Sequence, residues 1–178
     1  MKIAIDLGHN VANDGGAVGI RRENDLIMEV GAKVISKLKN SGHEVIECKP
    51  SWASSVNDSL RRRCATANAS RASIFASIHF NAFDGNAYGT EVYAVSKKGK
   101  SVASRIVKNI AALGYTNRGV KFKRFYVLRA TAMPAVLIEC CFCDSKRDMI
   151  LFDSEKMANA IVTGLIENMP TENMCNCA

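Results

Sequence analysis

The chain contains no apolar run long enough to cross a membrane. None of its stretches approaches the ~20 apolar residues that a membrane-spanning helix requires. Its first residues also lack the apolar core of a secretion signal, which needs roughly 7–15 residues, because only three apolar positions separate Lys2 from Asp6. We therefore predict no membrane span, and synthesis in the cytoplasm without a signal peptide.

Acidic residues are few in comparison with basic ones. The chain has 17 aspartates and glutamates against 24 lysines and arginines, which gives a formal net charge of +7. Such a charge attracts polyanions, whether nucleic acid, anionic lipid or an anionic cell-wall polymer. Few aromatic side chains are interleaved with the basic ones, and the chain has no arginine-rich tail. We therefore predict that nucleic acid is not a partner.

The seven cysteines are an odd number, which does not suit a framework of disulfide bonds. Cys140, Cys141 and Cys143 are too close in sequence for such a framework, and an extended segment would point them to opposite sides rather than onto one metal ion. We predict free cysteines in a reducing compartment, packed as small hydrophobic side chains. Cys175 and Cys177 belong to a short polar tail, where we expect them to be exposed and without function.

Segments typical of strands and of helices alternate along the chain. We predict strands at 2–6, 44–48, 73–78, 89–95 and 135–143, and helices at 24–40, 56–70, 101–113 and 154–168. We also expect a short strand at 125–128, after a basic segment at 118–124. With no internal repeat or linker, this alternation predicts a single α/β domain with a mainly parallel, twisted sheet and helices on both faces. A tail without pattern follows at 170–178.

Polar side chains stand at the ends of three apolar runs. His9 and His79 each follow a predicted strand, and Glu139 follows the apolar run 135–138. Because ligands bind outside the carboxyl ends of parallel strands, these three groups are expected to converge, which indicates a zinc hydrolase. The spacing alone is a weak signal, since no compact motif such as H-E-x-x-H is present. Each histidine could instead cap a strand, and His43 is interpreted as an ordinary turn residue.

Six short segments of the chain form a recognisable series. They are, in order, Asp6-Leu7-Gly8-His9, Gly19-Ile20-Arg21-Arg22-Glu23, Arg63-Cys64-Ala65-Thr66-Ala67-Asn68, Ser77-Ile78-His79-Phe80-Asn81-Ala82, Arg118-Gly119-Val120 and Met133-Pro134-Ala135-Val136-Leu137-Ile138-Glu139. With these segments the chain resembles the zinc-dependent N-acetylmuramoyl-L-alanine amidases of the Amidase_3 type, which include cell-division amidases and catalytic domains of phage endolysins. Leu7 stands where the family often has proline, and the loop after His9 contains less glycine.

The resemblance implies a function and a residue for each role. His9, Glu23 and His79 match the ligands of one zinc ion, and Glu139 matches the catalytic glutamate. The implied reaction is hydrolysis of the amide bond between N-acetylmuramic acid and L-alanine in peptidoglycan, carried out at the cell wall. Residues 1–169 would form this amidase domain, and we expect a monomer.

Four further points stay open at the level of sequence. Glu23 could be a solvated acid at a helix start, although the resemblance favours ligation. Asp6 is expected to support a ligating histidine or to order its loop. Asn81 could hold the loop around His79 or touch the substrate, and Arg63 could contact the substrate or pair with an acid.

Three other functions remain as alternatives. They are a zinc peptidase with a different peptide substrate, a non-catalytic wall-binding protein, and a basic nucleic-acid-binding domain. The presence of all four implied site residues argues against the second, and the scattered basic residues argue against the third.

Overall fold

The computed structural model describes residues 1–167 and alternates strands with helices throughout. The predicted last residue of the final helix, Asn168, lies outside the described residues. So do the predicted domain boundary after residue 169 and the tail with Cys175 and Cys177, which therefore stay predictions. The elements are β1 (Lys2–Leu7), α1 (Glu23–Asn40), β2 (Glu44–Glu47), α2 (Val56–Ser70), β3 (Ile74–Asn81), β4 (Thr90–Tyr93), α3 (Lys97–Ala111), β5 (Asn117–Lys121), α4 (Tyr126–Arg129), β6 (Ala135–Phe142), α5 (Lys146–Leu151) and α6 (Ser154–Ile166).

The six strands form one sheet in the order β2-β1-β3-β6-β4-β5. All neighbouring strands are parallel except β4 and β6, which are antiparallel. The three central strands are almost wholly buried, as expected of parallel strands that are covered on both faces. The predicted α/β fold with a mainly parallel sheet is confirmed.

Helices cover both faces of the sheet and divide the core into two layers. On one face, α1, α3 and α6 pack their apolar sides against alternate strand residues such as Ile138. On the other face, α2 and α4 pack against the strand residues that alternate with these, such as Phe75 and Leu137. No helix among residues 1–167 is both long enough and apolar enough to span a membrane.

The segment at 117–129 differs from its predicted structure. The expected strand at 125–128 is wrong, because these residues enter the short helix α4, where the consecutive residues Val127 and Leu128 are both buried. A strand would send two consecutive side chains to opposite faces. The basic segment at 118–124, for which the sequence predicted no helix or strand, contains most of the edge strand β5. Its mainly polar residues are exposed or half-buried, so no apolar alternation marks it.

The cysteines of the described region are free and buried, as predicted. Cys140, Cys141 and Cys143 are fully buried within the end of β6 and just after it, while Cys48 and Cys64 belong to the core layer under α2. Burial raises the pKa of the Cys48 thiol to about 12 and that of Cys143 to about 11. These thiols therefore serve as small apolar groups in the core.

The sheet places the three strands that carry or precede the candidate site residues side by side. β1, β3 and β6 are consecutive in the sheet, and their carboxyl ends point to the same edge. His79 and Glu139 are register partners on β3 and β6. His79 lies inside β3 rather than just after the strand, and Glu139 lies inside β6 as predicted. The antiparallel strand β4 brings Glu91 opposite Glu139 from the other side.

Candidate metal centre and active site

Two imidazoles and one carboxylate converge at the carboxyl edge of the sheet. His9 lies two residues beyond β1, Glu23 is the first residue of α1, and His79 lies on β3. One ligand atom from each residue lies within 4.8 Å of the others. Three positions separated by up to 70 residues in sequence are therefore brought together as expected.

Glu23 is held in place by both histidines and by backbone donors. Its Oε1 atom is 3.1 Å from His79 Nδ1 and 3.6 Å from His9 Nε2. The amides of Ala17 and Phe80 donate hydrogen bonds to the two carboxylate oxygens, at 2.7 and 3.1 Å. The side chain is buried, so the alternative of a solvated acid at a helix start is wrong.

The electrostatics of this cluster favour the deprotonated carboxylate. Burial raises the pKa of Glu23, but the hydrogen bond from His79 and the nearby histidine charges lower it more, so the net shift is downward. For His79, burial lowers the pKa, and the hydrogen bond to Glu23 together with the charges of Glu139 and Glu23 raises it above its ordinary value. The two opposite shifts have one cause, the attraction between the Glu23 carboxylate and the His79 ring.

The loop that carries His9 has an unusual backbone. His9, Asn10 and Asn13 all have positive φ angles, of 51°, 60° and 66°, which non-glycine residues adopt at a cost. Asp14 stabilises this loop conformation, since its Oδ1 lies 3.0 Å from His9 Nδ1 and its Oδ2 accepts a 2.6 Å hydrogen bond from Ser59. Asp14 thereby orients the His9 ring and leaves Nε2 facing Glu23.

A fully buried guanidinium connects this loop to the sheet and to α2. Arg63 donates hydrogen bonds of 2.6 Å to Asp6 Oδ1 and to the carbonyl of Leu7, and a further one to the carbonyl of His9. It also lies 3.5 Å from Asp14. Asp6 accepts a second hydrogen bond, from Ser77. The positions of Arg63 and Asp6 favour pairing and loop ordering over contact with a substrate.

Asn81 lies at an irregularity of β3. The register between β3 and β6 shifts between His79 and Asn81, and the Asn81 carbonyl accepts a 2.7 Å hydrogen bond from Cys143. Its side chain accepts a bond from the amide of Ala82 and donates one of 3.4 Å to Glu91. These bonds favour a role in shaping the loop after His79.

Glu139, beside the cluster, differs from Glu23 in its hydrogen bonding and in the direction of its pKa shift. Its Oε2 atom is buried and has no hydrogen-bond partner among residues 1–167. Burial, with a smaller effect from the negative charges of Glu23 and Glu91, raises the pKa of Glu139 to about 7. A carboxyl group with such a pKa can both accept and release a proton near neutral pH.

Sequence reasoning missed two residues that support the site, Asp14 and Glu91. Asp14 follows His9 by five residues in an irregular loop. The one available signal is indirect: a histidine that binds a metal usually bonds a carboxylate through its other ring nitrogen, so an acid near His9 is expected. Glu91 is a buried acid within an apolar strand, where it accepts hydrogen bonds from Tyr93 at 2.6 Å and from Arg118 at 2.8 Å. An acid in such a strand is itself a signal for a buried partner.

A cavity of about 270 Å³ opens onto these groups. His9, His79 and Glu139 line its polar side. Its other walls are largely apolar and come from α2 and from the segment around α4, through Val56, Leu60, Phe125, Tyr126 and Val127. A substrate bound here would place a polar bond against the cluster and an apolar portion against the opposite wall.

Fold and site together define a class of protein. An α/β domain that presents a three-residue candidate metal centre and a proton-transferring carboxyl group has the arrangement of a metal-dependent hydrolase. The family model described as N-acetylmuramoyl-L-alanine amidase, Amidase_3, matches residues 3–169. The chain belongs to this family, which confirms the resemblance noted in its sequence.

Relatives and solved structures agree with this assignment. An uncharacterized protein of Clostridium perfringens is 38% identical over 159 residues, covering 85% of this chain and 47% of that protein. The catalytic domain of the CD27L endolysin, which targets Clostridia difficile, matches with a TM-score of 0.85 and 29% identity, covering 93% of this chain and 97% of that one. The catalytic domain of CwlV, an N-acetylmuramoyl-L-alanine amidase from Bacillus (Paenibacillus) polymyxa var. colistinus, matches with a TM-score of 0.82 and 33% identity, covering 93% and 96%.

The chain is shorter than several of its curated relatives. It spans 47%, 35% and 53% of three of them, two from Clostridium perfringens and one from Bacillus anthracis. It spans nearly the whole of the catalytic domains in the two solved structures above. The match therefore covers about a third to a half of these three relatives and nearly all of the two solved catalytic domains.

Proposed function

We propose that the protein is an N-acetylmuramoyl-L-alanine amidase that hydrolyses the amide bond between N-acetylmuramic acid and L-alanine in peptidoglycan. The observation that carries this proposal is the His9, Glu23 and His79 cluster beside the buried, unpartnered carboxyl oxygen of Glu139. Family membership supplies the substrate. The catalytic unit we propose comprises residues 1–169.

The residues present fit one zinc ion. Two imidazole nitrogens and a carboxylate oxygen are donors that zinc accepts, and three protein ligands leave a position open, as in catalytic zinc sites. The three donor atoms already face one another, and Asp14 occupies the other nitrogen of His9. A ligating histidine typically has such a partner on its second nitrogen, which fixes the ring and its tautomer.

When bound, zinc supplies a Lewis acid that polarises a carbonyl oxygen and lowers the pKa of a water molecule. The chain itself supplies the proton transfers. Glu139 would take a proton from the attacking water at its unpartnered Oε2 and pass it to the amine that leaves as the new amino terminus of L-alanine. Its burial beside the cluster keeps the carboxyl group within the cavity that holds the scissile bond.

The cavity walls would orient the substrate. The apolar side formed by Leu60 of α2 and Val127 of α4 excludes water from one flank of the reacting bond. Hydrogen bonds and charges act more strongly in such a partly dry site than in bulk water. The protein would act on the cell wall, where its substrate is located.

Zinc content and the position of cleavage test the proposal together. Purified peptidoglycan is digested by wild type and by Glu139→Gln, and the new amino termini are identified by mass spectrometry. We expect one zinc ion per chain in both proteins. The wild type should release stem peptides that begin with L-alanine, and Glu139→Gln should be slower by about 10²–10⁴-fold, the usual contribution of a general acid–base. Glu47→Gln, at an exposed acid on β2, is the matched control and should retain full activity.

Each other result contradicts a defined part of the proposal. Cleavage elsewhere in the stem peptide would indicate a zinc peptidase. Bound zinc without any cleavage would indicate a wall-binding protein. A wild type that is active and contains no zinc after purification in zinc-supplemented medium would overturn the metal assignment.

A further inference from the structure

One long segment of the chain carries charge of a single sign. Between Glu91 and Glu139 there are ten lysines and arginines and no aspartate or glutamate. The chain as a whole has 24 basic and 17 acidic residues, so this segment carries a charge of +10 and the rest of the chain a charge of −3. The segment contains α3 and α4, which lie on opposite faces of the sheet, and β5, which forms its edge.

The fold arranges five of these cations around two adjoining grooves. The larger groove, of about 660 Å³, is lined by Lys97, Lys98, Arg124 and Arg129 together with the exposed ring of Phe122. The smaller groove, of about 350 Å³, is lined by Lys98 and Arg105. The two share Lys98 and Pro134, so they form one continuous basic groove.

The cations of the basic groove are not neutralised within the described part of the chain. None of the five forms an ion pair among residues 1–167, and no described acidic residue lines either part of the groove. Elsewhere the basic residues are commonly paired, as Lys33 and Lys37 are with Glu155. The basic groove therefore has the charge of an anion-binding surface.

The basic groove and the catalytic cavity share a wall. Phe125, Tyr126 and Val127 line the cavity, whereas Arg124 and Arg129, on either side of them in sequence, line the groove. The groove lies at the amino end of β6, at Ala135, and the cavity is lined farther along that strand by Leu137 and by Glu139, the proposed catalytic residue. Four residues of strand correspond to about 13 Å. A polymer bound in the groove would therefore lie beside the cleavage site without filling it.

We propose that the basic groove binds the phosphodiester groups of an anionic polyol phosphate polymer attached to peptidoglycan. The inference rests on the proposed function, because a wall amidase meets such a polymer next to its substrate. A row of exposed cations in an extended groove matches a chain of regularly spaced phosphates. A single exposed aromatic ring lines the groove, whereas proteins that bind single-stranded nucleic acid stack successive bases on several rings. Binding would hold the enzyme near its bond and raise the local concentration of substrate.

Binding of a soluble polyol phosphate polymer tests the inference independently of catalysis. The dissociation constant is measured by titration calorimetry at several salt concentrations for wild type and for the triple variant Lys98→Ala, Arg124→Ala, Arg129→Ala. We expect the triple variant to bind at least about tenfold more weakly, with a shallower dependence on salt, because fewer phosphate contacts remain. The matched control removes three cations outside the groove, through Lys39→Ala, Lys49→Ala and Lys146→Ala, and should change the affinity by less than about threefold.

Further measurements keep each outcome interpretable. If a thermal melt shows that the triple variant does not fold, the single variant Lys98→Glu replaces it. Lys98 is exposed and lines both parts of the groove, so Lys98→Glu should also bind the polymer more weakly than wild type. Equal weakening by groove and control variants would overturn the inference in favour of net charge alone. Tighter binding of a DNA oligonucleotide than of the polymer, with the same residue dependence, would overturn it in favour of nucleic acid. Wild-type digestion of peptidoglycan stripped of phosphodiesters reports on the proposed amidase function separately.

Discussion

Replacement of Arg63 by methionine should destabilise both the fold and the metal centre. The guanidinium is 1% exposed and bonds Asp6, two backbone carbonyls and the Asp14 region at once. Methionine replaces only the aliphatic part of the arginine and leaves two buried carboxylates, Asp6 and Asp14, without their cation. Removal of one partner from a buried ion pair costs about 3–5 kcal/mol, a large part of the ~5–15 kcal/mol that stabilises a typical domain.

The effect on the metal centre should accompany the effect on stability. Arg63 bonds the carbonyl of His9, whose φ of 51° needs support from its surroundings. With that bond lost, the loop can relax and move the His9 ring away from Glu23. We therefore expect Arg63→Met to bind zinc more weakly than wild type even under conditions where it is fully folded.

Urea unfolding followed by circular dichroism, with zinc removed, measures the first effect, and competition against a chelator measures the second. Arg63→Lys is the matched variant, since it keeps the charge but cannot form the same fork of hydrogen bonds, and it should fall between wild type and Arg63→Met. If Arg63→Met lowers the free energy of unfolding by less than about 1 kcal/mol and leaves the zinc affinity unchanged, the reasoning is refuted. The hydrogen-bond network around Arg63 would then contribute no net stability to the fold or to the metal centre.

Three further predictions concern separate parts of the structure. Asp14→Asn should lower zinc affinity about 10–100-fold in a chelator competition while the protein stays folded, because the variant loses the carboxylate that orients His9; unchanged affinity would contradict that role. In a variant whose two tail cysteines are replaced by serine, the buried cysteines should resist iodoacetamide at pH 8 in the native protein and react after unfolding, because burial raises the pKa of thiols such as Cys48, to about 12. Rapid labelling of the native protein would show that the core around these cysteines opens. Gly164→Ala should lower the free energy of unfolding by about 1–3 kcal/mol, because the added Cβ would lie 2.8 Å from backbone atoms of Ile106 where α6 meets α3; a neutral result would mean that the two helices separate without cost.

The positions of His9, His79 and Glu139 could be predicted from the chain because each adjoins a strongly apolar run. Parallel strands bring their carboxyl ends to one edge, so polar residues there meet whatever the details of the connections. Ligation by Glu23 required the family resemblance, because the beginning of a helix favours an acid for electrostatic reasons alone. Its burial under Ala17 and Phe80 distinguishes the two interpretations, and that burial depends on how the loop before α1 folds.

The errors lie where a short segment takes its structure from its neighbours. Phe125 to Leu128 contains apolar residues that suit either a strand or a helix, and only packing of consecutive side chains against α2 selects α4. The edge strand β5 has few apolar residues and forms because β4 offers it hydrogen-bonding partners. α5 was not expected, because its six residues are too few to show a helical period.

The sequence by itself determined the order of the main strands and helices, their apolar faces and the polar residues at the strand ends. These features are local, since they depend on side-chain periodicity over a few residues. Tertiary structure alone decided which partners the polar groups acquire. Arg63 meets Asp6 across 57 residues, and His79 meets Glu23 across 56. Hydrogen bonds and charges depend on distances of a few ångströms in space, and those distances arise only when the sheet and the helices have packed together.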